Sequence, residues 1–141
     1  MRLGALLRPG MVVGLIGDLG TGKTTLVQGI AAGWGALDPV TSPTFILLNV
    51  YRRPDGQQLF HLDAYRLQSP QEAWELDLPS AWDAGPLVVE WADRIADVLP
   101  PDRLDIHLTW LDEWKRHLLF EARGPESIRL LRRLHQSTVG T

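Results

Sequence analysis

Eight consecutive residues, Gly17, Asp18, Leu19, Gly20, Thr21, Gly22, Lys23 and Thr24, satisfy the pattern GxxxxGK followed by Ser or Thr at every specified position. A phosphate chain in water is heavily solvated, and a protein replaces that shell only with several donors converging on one small volume. Glycines let the backbone adopt positive φ and come close without side-chain clash. Successive amides then point inward as a nest at the amino end of the following helix. Lys23 supplies a flexible point charge for the β and γ phosphates, and the Thr24 hydroxyl suits an octahedral Mg²⁺ shell. Residues Gly17 through Thr24, with Thr25 beside them, are therefore expected to hold the triphosphate of Mg-ATP. No (N/T)KxD guanine-reading element follows the loop, and no DxxG stands where a GTPase needs one, so adenine is the expected base.

Hydrolysis or transfer also needs a carboxylate to hold metal or orient the attacking group, and such acids stand at the carboxyl ends of strands beside the loop. Leu59-Phe60-His61-Leu62-Asp63 and Leu87-Val88-Val89-Glu90 each place an acid just past an apolar run. Either Asp63 or Glu90 could serve magnesium, directly or one shell out; each could equally be a strand-end acid that faces solvent or caps the next helix. Thr44, in Thr41-Ser42-Pro43-Thr44-Phe45, could reach the γ-phosphate or metal from a switch-like loop, although composition favours a proline-fixed turn entering a strand. His61, His107, His117 and His135 are scattered and lack HExxH spacing, so they are expected to be structural rather than metal ligands.

These residues need a scaffold. Val12, Val13, Leu15 and Ile16 form a short apolar run closed by Gly17, as a strand buried on both faces does. Leu26, Val27, Ile30, Ala31 and Trp34 recur at three- and four-residue steps, giving one helical stripe stopped by Gly33 and Gly35. Strand, glycine loop and helix thus follow in the order the phosphate motif requires. Residues 45–50 and 59–62 read as a hairpin around Arg52-Arg53-Pro54-Asp55-Gly56. A short helix is expected over 70–76, with Ser69 as cap and Pro70 first, then a buried strand over 87–89 and a helical turn or two over 92–99. Residues 104–109 and 117–122 read as a late strand pair, and 125–135 as a closing helix whose Arg129, Arg132 and Arg133 line a solvated face. Residues 136–141 are expected to fray. The fold class is α/β in one domain over 1–135.

The chain has 141 residues, 45% of them hydrophobic, enough for one domain with a true core. No run nears the ~18 apolar residues of a membrane span, and no leader pattern opens the chain. A cytoplasmic setting without membrane contact is expected. Cysteine is absent, which removes disulfides and thiol nucleophiles. The net charge of −3 supplies no positive field to hold a polyanion, so direct nucleic-acid binding is not expected. Only Lys23 and Lys115 are lysines among 14 basic residues, which sharpens the meaning of Lys23. The six tryptophans, Trp34, Trp74, Trp82, Trp91, Trp110 and Trp114, are expected as core or interface anchors.

GDLGTGKTT at 17–25, SPTF at 42–45, HLDAYRL at 61–67 and VEW at 89–91 occur in one order. Together they closely resemble the TsaE (YjeE) family, the ATPase component of the bacterial machinery that forms N6-threonylcarbamoyladenosine at position 37 of tRNAs reading ANN codons. The resemblance covers residues 3–124. It implies a P-loop sheet with parallel centre and antiparallel flanks. Gly17 to Thr25 would bind ATP phosphates, Thr24 and Glu90 would hold Mg²⁺, Asp63 and Thr44 would organise the γ-phosphate and its hydrolysis, and Trp91 would stand beside the site. It also implies docking on TsaD in complex with TsaB, with tRNA met only through that complex and ATP hydrolysis resetting it between turnovers. Two departures stand out. Only eleven residues precede the first buried strand, where the family usually has an earlier strand and helix that help wall the base; either the start lies upstream of Met1 or the base pocket is more open. Met11 replaces a usually polar residue in a turn.

Three functions therefore compete. The first is an ATP-hydrolysing accessory protein, weak alone and active in complex. The second is a small-molecule kinase with Asp63 as the base that orients an acceptor hydroxyl. The third is an ATP-gated binding module in which Asp63 and Glu90 only hold metal.

Overall fold

The computed structural model describes residues 2–17, 23–38, 48–67, 69–111 and 116–139. In chain order the elements are α1 (Arg2–Leu6), β1 (Val12–Ile16), α2 (Lys23–Trp34), β2 (Leu48–Arg52), β3 (Gln58–Asp63), α3 (Pro70–Glu75), α4 (Leu78–Ala84), β4 (Leu87–Glu90), β5 (Leu104–Trp110), β6 (Arg116–Ala122) and α5 (Pro125–Val139). Tighter 3₁₀ turns follow β3 over Ala64–Arg66 and β4 over Ala92–Val98.

The strands form one six-stranded sheet in the order β2-β3-β4-β1-β5-β6. β3, β4, β1 and β5 run parallel, while β2 and β6 close the two edges antiparallel. The apolar run of β1 is explained by this position: strands lie on both sides and helices or turns on both faces, so residues 12–15 are buried and only Ile16 at the strand end is partly exposed. The expected hairpin joins β2 to β3, with the Gly56 amide donating to the Arg53 carbonyl at 2.9 Å and Gly56 at φ 86°.

Side chains alternate between two cores. Val13, Leu15, Leu59, Val88, Leu104 and Ile106 pack against Leu3, Val27, Ile30, Trp34 and Leu130 of α1, α2 and α5. Val12, Leu62, Leu87 and Val89 pack on the opposite face against Ala73, Leu78, Ala81 and Ile95. Each fully buried Leu or Val contributes about 1.5–3 kcal/mol over its exposed state. Among the described residues, no helix is long and apolar enough to cross a membrane.

Two helices carry too little pattern to be expected from sequence. α1 is five residues long, and its backbone lies so close to α2 that a Cβ on Gly4 would stand 2.0 Å from the Ile30 carbonyl oxygen. α4 carries Pro79 in its first turn, where the ring's fixed φ suits a helix start, and it follows Asp77 in the left-handed region. At α3, Ser69 occupies the cap position but its side chain makes no cap bond. α5 runs four residues beyond the expected end at His135, through Val139, because no Gly or Pro interrupts it before Gly140. Arg129, Arg132 and Arg133 are exposed along it, as expected.

Candidate functional site

The carboxyl ends of three adjacent parallel strands converge beside the start of α2. Glu90, the last residue of β4, is in register with Leu15 on β1 and with Asp63 on β3. Gly17 follows β1 directly, and Lys23, Thr24 and Thr25 open α2. This is where α/β sheets place their ligands. Asp18, Leu19, Gly20, Thr21 and Gly22 lie outside the described residues, as does Thr44.

Lys23 is buried, and its Nζ donates to the Gly17 carbonyl at 2.6 Å. The same ammonium lies 4.1 Å from the centroid of the Trp91 ring. A cation over an aromatic face is stabilised by the ring quadrupole, more strongly where water is excluded. Trp91 reaches this position because its backbone turns sharply after β4, with φ 61° and ψ 42°. A left-handed bulky residue costs on the order of 1–3 kcal/mol, which the surrounding contacts must offset. The Tyr65 ring also lies against Trp91, at 5.0 Å between centroids, and the Arg94 guanidinium lies 5.4 Å from the Tyr65 ring centre.

Glu90 is 5% exposed, and both its oxygens are engaged. The Thr24 hydroxyl donates to Oε1 at 3.2 Å, and His61 Nε2 lies 2.7 Å from Oε2. His61 Nδ1 in turn lies 2.8 Å from the Tyr51 hydroxyl. Burial, and after it the negative charge of Glu90, pushes the Tyr51 hydroxyl from 10.0 up to about 12. Among the described residues no buried side-chain nitrogen or oxygen lacks a partner, so this polar cluster is satisfied within the fold.

Asp63 shows one of the two behaviours expected of it. Its Oδ1 accepts from the Tyr65 amide at 3.1 Å, capping the 3₁₀ turn that follows β3. The cap fixes the side chain at the strand end next to Glu90 without removing it from the site. The structure thus gathers Gly17, Lys23, Thr24, Asp63, Glu90 and Trp91 at one sheet end.

Sequence reasoning placed His61 among the structural histidines and gave Tyr51 no role. A signal was present, since His61 and Asp63 are two apart on one strand and so share a sheet face. Thr24 and Glu90 bring two hard oxygen donors together, and such donors suit Mg²⁺, which is commonly held by one or two protein oxygens and completed by phosphates. Among the described residues, no three His, Cys, Asp or Glu side chains form a metal shell by themselves.

Comparison with known proteins bears on the family and the fold. A family model described as "Threonylcarbamoyl adenosine biosynthesis protein TsaE" matches residues 1–118. The tRNA threonylcarbamoyladenosine biosynthesis protein TsaE of Nostoc sp. is 42% identical over 120 residues, covering 81% of this chain and 72% of the relative. The protein of the same name from Bacillus subtilis is 40% identical over 121 residues, covering 85% and 75%. The crystal structure of Bacillus subtilis YdiB superposes with a TM-score of 0.76 at 33% identity, covering 97% of this chain and 85% of that one. With a family model matching residues 1–118 and relatives about 40% identical over most of its length, the chain belongs to the TsaE family of tRNA threonylcarbamoyladenosine biosynthesis proteins.

Proposed function

We propose that this chain binds and hydrolyses Mg-ATP as the accessory subunit of a cytoplasmic TsaB–TsaD complex, supporting N6-threonylcarbamoyladenosine formation at position 37 of tRNAs that read ANN codons. The observation that carries the reading is the contact of Glu90 with Thr24, a strand-end carboxylate against the hydroxyl that follows the P-loop lysine. Each residue has a distinct task. Amides of residues 17–25 replace phosphate solvation, and Lys23 exchanges its contact with the Gly17 carbonyl for the β and γ phosphates. Thr24 and Glu90 would hold Mg²⁺, which would supply neutralisation of the phosphate charge when bound. Asp63, fixed by its cap, orients the attacking water, with Thr44 assisting at the γ-phosphate. Trp91 shields the lysine from solvent. The net charge of −3 supports contact with tRNA through the complex rather than directly.

Steady-state ATPase of the wild type and Lys23→Ala, with and without TsaB and TsaD, tests this. Turnover that appears only with the partners and disappears in Lys23→Ala is expected. Partner-independent turnover would count against the accessory role, and phosphate appearing on an added metabolite would favour a kinase instead.

A further inference from the structure

We propose that Tyr51 and His61 form a positioning relay for Glu90, fixing the rotation of its carboxylate so that Oε1 is presented to Thr24 and the metal side. This rests on the Mg-ATP reading and adds to it two residues that touch neither nucleotide nor metal.

The argument starts from proton bookkeeping. An ionised carboxylate only accepts hydrogen bonds, so at 2.7 Å from Glu90 Oε2 the His61 Nε2 must carry a hydrogen. A neutral imidazole has only one such hydrogen, which leaves Nδ1 as an acceptor. Tyr51, 2.8 Å away, is then the donor. One tautomer of His61 therefore satisfies the whole chain: the Glu90 carboxylate sets it, and the Tyr51 hydroxyl anchors the other ring nitrogen and so holds the ring in place. The three residues come from the adjacent strands β2, β3 and β4, and all are buried: Tyr51 at 3%, His61 at 2% and Glu90 at 5% exposure. Water cannot substitute for a missing member at that burial. His61 occupies one oxygen of Glu90 and so aims the other. A carboxylate held at one oxygen alone would be free to turn away from Thr24. The arrangement matches a general feature of metal sites, in which partners of the ligand set its orientation and their loss costs about 10–100-fold in metal affinity.

Four proteins test the relay: wild type, Tyr51→Phe, His61→Phe and His61→Gln. Two-bond proton–nitrogen NMR spectra of the metal-free, nucleotide-free protein should show His61 as the Nε2–H tautomer in the wild type and in Tyr51→Phe alike, because Glu90 Oε2 requires that hydrogen in both. Calorimetric ATP binding across a Mg²⁺ titration should show His61→Phe needing at least about tenfold more Mg²⁺ for half-maximal binding. Its ATP binding in EDTA should stay at the wild-type level, and His61→Gln, which keeps an N–H donor, should recover part of the loss. An Nδ1–H tautomer in the wild type, or an unchanged Mg²⁺ midpoint in folded His61→Phe, overturns the relay alone. Should His61→Phe fail to fold, the wild-type tautomer and the Mg²⁺ midpoint of Tyr51→Phe decide the matter. A wild type that takes up no nucleotide with Mg²⁺, alone or with TsaB and TsaD, overturns the Mg-ATP reading and the relay's metal role with it.

Discussion

The Thr24 hydroxyl and the Glu90 carboxylate meet at 3.2 Å although 66 residues separate them in the chain. The contact exists because β4 lies directly against β1, which delivers its last residue to the start of α2. Glu90→Gln keeps the shape and an acceptor oxygen but removes the charge. Mg²⁺-dependent ATP binding should weaken by about 10–100-fold, while binding in EDTA changes little. Calorimetry with and without Mg²⁺ reads both quantities; equal losses in the two conditions would remove Glu90 from the metal site.

Gly14 sits at the centre of the sheet, where a Cβ would stand 2.5 Å from Asp105 Oδ1 and 2.8 Å from the Ala92 Cβ. Asp105 cannot retreat easily, being fully buried and bound to Arg103 Nε at 3.1 Å and Arg123 Nε at 2.7 Å. Gly14→Ala should destabilise the fold by about 1–3 kcal/mol through overpacking. Urea unfolding provides the test, and an unchanged midpoint would show that the Asp105 cluster can shift.

The amino end of α5 is capped from outside the helix, by Asp102 accepting from the amides of Glu126 at 2.8 Å and Ser127 at 3.0 Å. Burial works to raise the Asp102 carboxyl, but the Glu126 and Ser127 bonds outweigh it and hold the group below its ordinary 3.8. Its folded pKa is depressed, so its contribution is present above the unfolded value and is lost as pH falls through the folded one. Asp102→Ala should cost about 1 kcal/mol near neutral pH, and its difference from wild type should vanish as pH falls through the depressed folded pKa of Asp102. Thermal melts of both proteins across the acid range give the comparison.

Tyr51 predicts the opposite end of the scale. Its hydroxyl is raised in the fold to about 12, so the unfolded chain releases that proton first and stability should decline as pH rises from 10 towards 12. Tyr51→Phe should show a shallower decline over that window. Parallel alkaline melts of the two proteins would expose a mistake, because identical slopes leave no role for the raised hydroxyl.

Much of this site could be read from the chain. The strand and helix that flank the glycine motif were legible because each carries a clear hydrophobic period, while residues 18–22 of the motif itself lie outside the described residues. Asp63 and Glu90 were legible as acids closing apolar runs. Which acid approaches Thr24 was implied only by the family resemblance, which gave Glu90; the local pattern leaves both acids open because the answer depends on β4 rather than β3 lying next to β1. Asp105 was hidden for a related reason: the alternation of β5 puts it on the polar side, yet the sheet buries it completely between two arginines. His61 and Tyr51 share that fate, because their meaning lies in contacts across neighbouring strands.

The pleat of β4 has a further consequence. Val88 and Glu90 face α2, while Leu87 and Val89 face the opposite core. Removing or adding one residue inside β4 would leave an acid at the tip of an apolar segment, yet would carry it through the sheet to the wrong side. Odd or even count along four residues thus decides whether the Thr24 hydroxyl at the start of α2 meets an acid, which makes this strand far less forgiving of length change than of exchange among Val, Ile and Leu.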